Sequence, residues 1–233
     1  MKSLTGLLLA IVLVGSTAFA EGDHAKQSER LRDTGKVMTE IINMPDTIPQ
    51  SVLDRTRCVV VIPSVLKAAF VVGGSYGRGA MVCRSGKDFS GPWGAPSMMA
   101  LEGGSFGFQI GAEATDFVFL FMNAHGAETL LENKVKIGGD VSAAAGPVGR
   151  TAEADTDAYM RAEVLTYSRA RGLFAGASLE GATLHPDNDG NEALYGHKVS
   201  AKEIVFGSAE HTPASARVLV ALLDKTTPHP KNS

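Results

Sequence analysis

The sequence predicts an α+β protein: a strongly curved, mainly antiparallel β-sheet or barrel-like sandwich, with an amphipathic helix before it and another helix after it. Three observations support this fold class. Residues 25–43 have helical periodicity, residues 58–184 form a succession of short apolar runs ended by Gly or Pro, and residues 213–223 are again helical in pattern. No stretch has the composition of an interdomain linker. We therefore expect a single domain over residues 21–225, with its core at 48–207, and a disordered tail at 226–233.

The first twenty residues have the organisation of a secretory signal peptide. Lys2 gives a positive start, residues 7–14 are an unbroken apolar run, and residues 18–20 (Ala-Phe-Ala) have the small-x-small pattern of a cleavage site. The run is too short to cross the hydrocarbon core of a bilayer, which is about 30 Å thick. The sequence predicts cleavage after Ala20 and a periplasmic or secreted protein, with peripheral membrane association as an option.

The charge balance argues against nucleic acid as a partner. The full chain has 22 basic and 25 acidic side chains. Removal of residues 1–20 takes away Lys2 and no acid, which leaves 21 basic and 25 acidic side chains and a net charge of −4. Proteins that bind nucleic acid normally carry a basic excess, because their affinity comes largely from neutralising phosphates.

The helix predicted at residues 25–43 is amphipathic. Leu31, Met38 and Ile41 form an apolar stripe at spacings of three and four, completed by Thr34. Its first three turns carry four basic side chains: Lys26, Arg30, Arg32 and Lys36. Such a helix can lie in a bilayer interface, with its basic side chains at the headgroups. Alternatively, the stripe packs on the sheet and the charges are solvated.

The strand region begins with Val-rich runs that end at Pro63 and at Gly73-Gly74. Cys58 and Cys83 both lie in runs of this kind. An oxidising compartment permits a disulfide between them. The alternative is two buried free thiols that pack as small hydrophobic groups, and the sequence leaves both open.

A short glycine-rich repeat invites an enzymatic interpretation. Gly-Gly-Ser-Tyr-Gly at residues 73–77 recurs as Gly-Gly-Ser-Phe-Gly at residues 103–107. Both copies match G-x-S-x-G, the nucleophile elbow of serine hydrolases, but that elbow requires a helix directly after the serine. The sequence after Ser75 and Ser105 does not look like a helix start. We interpret both copies as turns and bends that let the sheet curl, and we predict no catalysis, with a serine hydrolase as a minor alternative.

The sequence predicts no cofactor and no metal. The acidic segment at residues 187–192 places its glycine fourth, whereas a calcium-binding EF-hand loop requires it sixth. We therefore expect a solvated turn there. The six histidines have no zinc-type spacing, and the chain has neither a phosphate-binding loop nor a dinucleotide fingerprint.

Residues 48–207 resemble the SYLF domain family. The resemblance begins in Val60-Val61-Ile62-Pro63 and in Lys67-Ala68-Ala69-Phe70, which leads into residues 73–79. It continues in residues 91–96, where Gly94 stands at the usual Ser of the family's W-S-x-P segment, and in residues 103–111. Residues 140–150 and 167–176 complete it in the same order.

The resemblance implies a binding function. Eukaryotic members of the family bind phosphoinositides and membranes, some bind actin filaments, and an N-terminal amphipathic helix takes part in lipid binding in some of them. Together with the signal peptide, the resemblance implies an exported, bacterial-type member. Such a protein would meet anionic phospholipid rather than cytoplasmic actin, so actin is not expected as a partner.

The candidate lipid-binding residues follow from this combination. Headgroup contacts are expected from Lys26, Arg30, Arg32 and Lys36, and apolar contacts from Leu31, Met38 and Ile41. Three further cations beside glycine-rich turns are weaker candidates: Arg78, Arg84 and Arg150. The competing hypothesis is a structural or adhesive envelope protein that self-associates and has no lipid preference. The oligomeric state is not predicted.

Overall fold

A computed structural model describes residues 5–69, 72–106, 113–149, 159, 161–170, 173–177, 179, 181–207 and 210–227. The helices are α1 (Thr5–Ile42), α2 (Gln50–Arg55), α3 (Ala124–Glu132), α4 (Asn188–Tyr195), α5 (Ala201–Phe206) and α6 (Arg217–Thr226), the last preceded by a 3-10 turn at Ala214–Ala216. Among these residues, no helix is both long and apolar enough to cross a bilayer. Helix α1 includes residues 5–20 of the segment predicted as a signal peptide.

The strands are β1 (Cys58–Ala69), β2 (Val72–Cys83), β3 (Ser97–Phe106), β4 (Glu113–Phe121), β5 (Val135–Lys136), β6 (Ala143–Ala145), β7 (Val164–Ala170), β8 (Leu173–Gly176) and β9 (Thr183–Pro186). In the described part of the chain they form one sheet in the order β5-β9-β3-β2-β1-β4-β7-β6, and β8 also pairs with β7. All pairs are antiparallel except β6 with β7. The sheet curls into a half-barrel. In chain order it is preceded by α1 and followed by α6, which confirms the predicted α+β class.

The central hairpin bends where β1 has an irregularity between Val61 and Leu66. Glycine is required on the facing strand at this point. A Cβ at Gly79 would lie 1.9 Å from the carbonyl oxygen of Val61, closer than any side chain can approach. The sequence thus places glycine where the backbones of β1 and β2 come together.

The two faces of the sheet bury different sets of side chains. Val60, Ile62 and Phe119 belong to the cluster on one face, which α3 and α5 cover. Val59 and Val61 lie on the opposite face, where α1 and α6 pack. This alternation follows from the two-residue period of a strand.

Three expectations about local structure were wrong. The glycine-rich repeats are not turns: residues 73–77 lie inside β2 and residues 103–106 inside β3, where they pair with each other, Gly73 with Ser105 and Ser75 with Gly103. Gly107 lies outside the described residues. The acidic segment at 187–192 is not a solvated turn, because Asp187 caps α4 by accepting a hydrogen bond from the N–H of Gly190. The tail does not begin at residue 226, since Thr226 belongs to α6 and Thr227 is buried.

Cys58 and Cys83 lie directly opposite each other on β1 and β2, with their Cα atoms 4.0 Å apart. The structure joins them in a disulfide, and both are buried in the core. Of the two alternatives that the sequence left open, the structure therefore has the bonded form.

Candidate functional site

A surface cleft of about 230 Å³ lies where the edge of α1 meets the β1–β2 hairpin. Its wall on α1 is formed by Arg30 and Asp33. Its wall on the sheet includes Ser64, Leu66, Tyr76 and Arg78. The cleft exists because α1 crosses the sheet without covering the far part of the hairpin, so that two layers of the fold contribute side chains to one opening.

Arg78 is held in place by three contacts. Its Nε donates a hydrogen bond to the hydroxyl oxygen of Tyr76, and its guanidinium carbon lies 5.8 Å from the centre of the Tyr76 ring. Its Nη1 lies 3.1 Å from Oδ2 of Asp187, which is almost fully buried. Burial acts to lower the pKa of Arg78, but the hydrogen bond to Tyr76 and the charge of Asp187 raise it above its ordinary value. Arg78 is therefore a fixed and permanent positive charge.

The positive charge of Arg30 is balanced less by nearby negative charge than that of Arg78. Its Nη1 donates to Oε1 of Gln27 at 2.7 Å. Within the residues that the structure describes, no carboxylate forms an ion pair with it. Burial lowers the pKa of Arg30 and the positive charge of Arg78 lowers it further, against smaller raising effects of Asp187 and Asp23. Such mutual repulsion is relieved when an anion lies between two cations.

Ser64 forms part of the sheet wall in a strained backbone conformation. Its φ of 49° lies in the left-handed region, which is uncommon for a residue other than glycine. The N–H of Ser64 donates to Oδ1 of Asp116 at 2.8 Å. Asp116 also accepts a hydrogen bond from Arg169 at 2.6 Å, and Arg169 in turn pairs with Glu40 of α1. This chain of contacts ties the cleft wall to the C-terminal part of α1.

The cleft also has an apolar border. Leu66 and Tyr76 are opposite each other in the β1–β2 register, and both are exposed. An exposed leucine beside a tyrosine whose hydroxyl contacts a cation gives this border an amphipathic character.

The apolar stripe of the predicted lipid-binding helix is not available to lipid in this structure. Leu31, Met38 and Ile41 are fully buried. Leu31 packs with Ala80 and Met98 of the sheet, while Met38 and Ile41 join the cluster on the same face as Val59. Their helical periodicity reflects packing on the sheet, and the interpretation of these three residues as lipid contacts is corrected accordingly.

The four basic residues of the helix have different environments. Lys26, Arg32 and Lys36 are exposed, and Arg30 is half-buried in the cleft wall. Lys26 and Arg30 are four residues apart and therefore lie on the same edge of α1. Acidic side chains accompany them on the solvent side of the helix, among them Glu29 and Asp33.

Arg84 is not a headgroup contact, because it is fully buried. Its Nε and Nη2 donate to the carbonyl oxygens of Thr56 and Thr227, and its guanidinium stacks on Trp93 with the carbon 4.7 Å from the ring centre. Its role is to join β2 to the end of α6. Arg150, the third weaker candidate, lies outside the described residues.

Sequence reasoning did not find Ser64, Leu66 or Tyr76. The sequence has no local signal for them, because a covered and an exposed leucine or tyrosine look alike in a strand pattern.

Within the described residues, the serines, histidines and acids discussed from the sequence form neither a hydrolase site nor a metal site. Ser75 and Ser105 lie within strands, so neither occupies the strand-to-helix turn of a nucleophile elbow. Glu163 accepts hydrogen bonds from Ser142 and contacts His125 at 2.7 Å. In that arrangement the carboxylate separates the serine from the histidine, whereas a catalytic triad requires the histidine to contact the serine. No group of three metal-ligating side chains occurs among the described residues.

The comparisons with known proteins all point to one family. The family model described as "Ysc84: Las17-binding protein actin regulator" matches residues 102–226. The SH3 domain-containing protein PJ696.02 of Schizosaccharomyces pombe is 37% identical over 202 residues, which are 83% of this chain and 46% of that protein. LAS seventeen-binding protein 3 of Saccharomyces cerevisiae is 38% identical over 178 residues, 75% of this chain and 38% of that protein.

A human relative, SH3 domain-containing YSC84-like protein 1, is 34% identical over 209 residues, 89% of this chain and 59% of that protein. The chain thus spans about half the length of these relatives. The matched proteins are named for binding or for an SH3 domain, and the matches indicate no catalytic family. The chain belongs to the Ysc84 family, whose domain is the SYLF domain.

Proposed function

We propose that this protein binds anionic phospholipid at a membrane surface, without turnover, and that the cleft between α1 and the β1–β2 hairpin receives the headgroup phosphate. The observation that carries the proposal is the convergence of Arg30 and Arg78 on one cleft with an exposed apolar border.

The two arginines suit a phosphate. A guanidinium presents several N–H donors in a planar fork, which matches phosphate oxygens. Each cation near an anionic membrane surface contributes about 1 kcal/mol. The exposed Lys26 on the same edge of α1 adds to the local positive charge, whereas Asp33 reduces it.

The apolar component of binding comes from the sheet rather than from the helix. Leu66 and Tyr76 are exposed beside the arginines, so a lipid whose phosphate enters the cleft would place its glycerol and upper acyl region against them. Attraction to anionic lipids together with apolar contact is the combination used by peripheral membrane proteins.

The proposed location is the periplasm or the extracellular space, with cleavage after Ala20. The lipids available there include phosphatidylglycerol and cardiolipin, and export would separate the chain from cytoplasmic actin regulators. The Las17 binding named in the family description is therefore not extended to this chain. Mass spectrometry of the protein from a cell-envelope fraction tests the location: we expect an N-terminus at Glu21, and a cytoplasmic protein that retains Met1 would contradict it.

Vesicle co-sedimentation of the purified protein tests the function. We expect binding to vesicles of phosphatidylcholine with 30% phosphatidylglycerol, weak binding to pure phosphatidylcholine, and loss of binding to the anionic vesicles at 1 M salt, where charges are screened within about 3 Å. A protein that stays in solution with every vesicle composition would overturn the proposal. Self-association without lipid preference would support the structural or adhesive alternative instead.

A further inference from the structure

We propose that the protein enters the bilayer interface with one end of its sheet, the end at which β1 leads into β2. We call it the hairpin end and define it as residues 67–69 of β1, 72–75 of β2 and 103–106 of β3. The proposal rests on the proposed function and adds an orientation and an apolar contact surface to it.

The first observation is the position of the exposed apolar side chains. Leu66 is 57% exposed, Tyr76 47% and Leu173 78%. The register places Leu66 opposite Tyr76 on one side and Ala114 on the other. Leu173 pairs with Ala170 of β7. Ala170 comes directly after Arg169, which pairs with Asp116, so Ala170 lies level with the residue after Ala114 on β4. The three exposed side chains therefore lie within about one residue of the same level, on three different strands.

These side chains do not share one face of the sheet. Leu66 and Tyr76 are on the face that α1 covers in part. Leu173 is on the opposite face, because its neighbour Phe174 stacks on Tyr167 in the cluster of α1. A single protein partner would cover one face. Apolar exposure on both faces at one level fits an end of the sheet that is surrounded by lipid.

The second observation is the composition of the hairpin end. Of its eleven residues, only Lys67 is charged, and the rest are Ala, Gly, Ser, Val or Phe. Strands β1 and β2 continue three residues or more beyond Leu66 and Tyr76, a length of about 10 Å. This length corresponds to the depth of about 5–10 Å at which interfacial elements lie in the headgroup and acyl boundary.

The third observation is the position of the cations relative to this end. Arg78 follows Tyr76 by two residues on β2, about 7 Å further from the hairpin end, and Arg30 lies beside it across the cleft. With the hairpin end in the interface, Tyr76 reaches the boundary where tyrosine is enriched in membrane proteins. Both arginines then lie at the level of the phosphates.

The backbone hydrogen bonding of the hairpin end permits its insertion to this depth in the bilayer interface. In the hairpin end, β2 is hydrogen-bonded to β1 on one side and to β3 on the other, so its N–H and C=O groups are paired. Unpaired strand edges cannot enter the hydrocarbon core. The pairing of β2 therefore permits insertion, and the length of about 10 Å limits it to the interface.

Two sets of variants in the full chain test the proposal. The first set measures affinity for the 30% phosphatidylglycerol vesicles. We expect the Leu66→Asp/Leu173→Asp variant to bind at least about tenfold more weakly than wild type. Val218→Asp/Phe206→Asp is the charge-matched control: Val218 on α6 is 59% exposed and Phe206 on α5 is 39% exposed, and neither lies at the hairpin end, so binding should change little. The Asp changes fall on exposed positions, and circular dichroism checks that the fold is retained.

The second set measures contact with acyl chains by tryptophan quenching. Leu173→Trp places an indole at the proposed interface, whereas Phe206→Trp places it at the other end of the sheet, where Phe206 packs on Phe89 after β2. The native Trp93 is buried and gives a constant background. In vesicles that contain brominated acyl chains, we expect quenching of the Leu173→Trp protein and no added quenching of the Phe206→Trp protein.

The outcomes separate this proposal from the proposed function. If wild type binds anionic vesicles but the Asp variant binds equally well, or if both Trp variants are quenched alike, the hairpin end is not the contact and this inference is overturned while lipid binding stands. If wild type binds no vesicles, the proposed function itself fails.

Discussion

Arg30 of α1 and Arg78 of β2 line the same cleft although one belongs to a helix that packs on the sheet and the other to the sheet itself. Among the described residues, only Arg78 of the two has a carboxylate ion-pair partner, the nearly buried Asp187, and the two positive charges act on each other. A pair of like charges that the fold holds together is unfavourable without a ligand and favours an anion between them. The predictions below follow from this relationship and from the contacts that hold α1 in place.

Asp33 is the negative charge in the cleft. Because it opposes the approach of a phosphate, Asp33→Asn should strengthen binding to anionic vesicles by up to about fivefold, the equivalent of about 1 kcal/mol for one charge near the surface. Asp54→Asn is the control, since Asp54 is an exposed acid on α2, away from the cleft. Co-sedimentation at low salt measures both. Equal gains in the two variants would indicate a general effect of net charge rather than a role for the cleft.

The contact between Glu40 and Arg169 should make the docking of α1 dependent on pH. The hydrogen bond from Arg169 lowers the pKa of Glu40. A carboxyl group whose pKa is lowered by folding stabilises the folded state above its ordinary pKa of about 4.3, and this contribution is lost as the pH falls through the lowered value.

Urea unfolding at several pH values measures this effect. Wild type should be more stable than Glu40→Gln at pH 6, and the difference should shrink below about pH 4. The comparison isolates one carboxyl group because all the others are common to both proteins. A difference that stays constant down to pH 3 would show that Glu40 does not stabilise the fold as a charged group.

The Cys58–Cys83 disulfide closes a short loop around the β1–β2 hairpin. In the chain-entropy account, removing it should lower the free energy of unfolding by about 3–4 kcal/mol. Protein refolded under reducing conditions and the Cys58→Ala/Cys83→Ala variant, which adds no buried hydroxyl, should show similar losses in urea. Since the variant has no cysteine left, added reductant should not change it. A wild-type midpoint that is insensitive to reduction would mean that the cysteines are not bonded in solution.

The sequence was sufficient for the fold class and for the C-terminal part of α1, predicted at residues 25–43, because period and breaker residues are local signals; the start of α1 at Thr5 was not predicted. It could not tell what covers the apolar stripe of α1. Leu31, Met38 and Ile41 have the same spacing whether they meet a sheet or a bilayer, and only the packed structure shows that they meet the sheet. The predicted lipid contacts were placed on the apolar stripe of the helix, whereas Leu66 and Tyr76, the exposed apolar side chains beside the cleft, are on strands.

The cleft itself could not be derived from the sequence. Arg30 and Arg78 were each candidates, but their convergence depends on the angle at which α1 crosses the sheet and on the bend of β1 near Ser64. Helices α4 and α5 were missed because they are short. A local signal existed for α5, since Ser200 and Glu203 form a capping box at its start.

The glycine repeats show the same limit of prediction from sequence. Their spacing is conspicuous, but glycine serves a turn and a close contact between strands equally well. Only the register shows that the two copies pair with each other inside β2 and β3.

The most direct test of the central claim compares two double variants of equal net charge on anionic vesicles. Arg30→Gln/Arg78→Gln removes both cations of the cleft, and Arg55→Gln/Arg217→Gln removes two exposed arginines elsewhere. Arg30→Gln alone, which leaves the Arg78–Asp187 pair intact, guards against a loss caused by unfolding. We expect affinity to fall about thirtyfold for the first double variant and about fivefold for the single variant, with little change for the second double variant. Equal losses in the two double variants would contradict a phosphate site at the cleft.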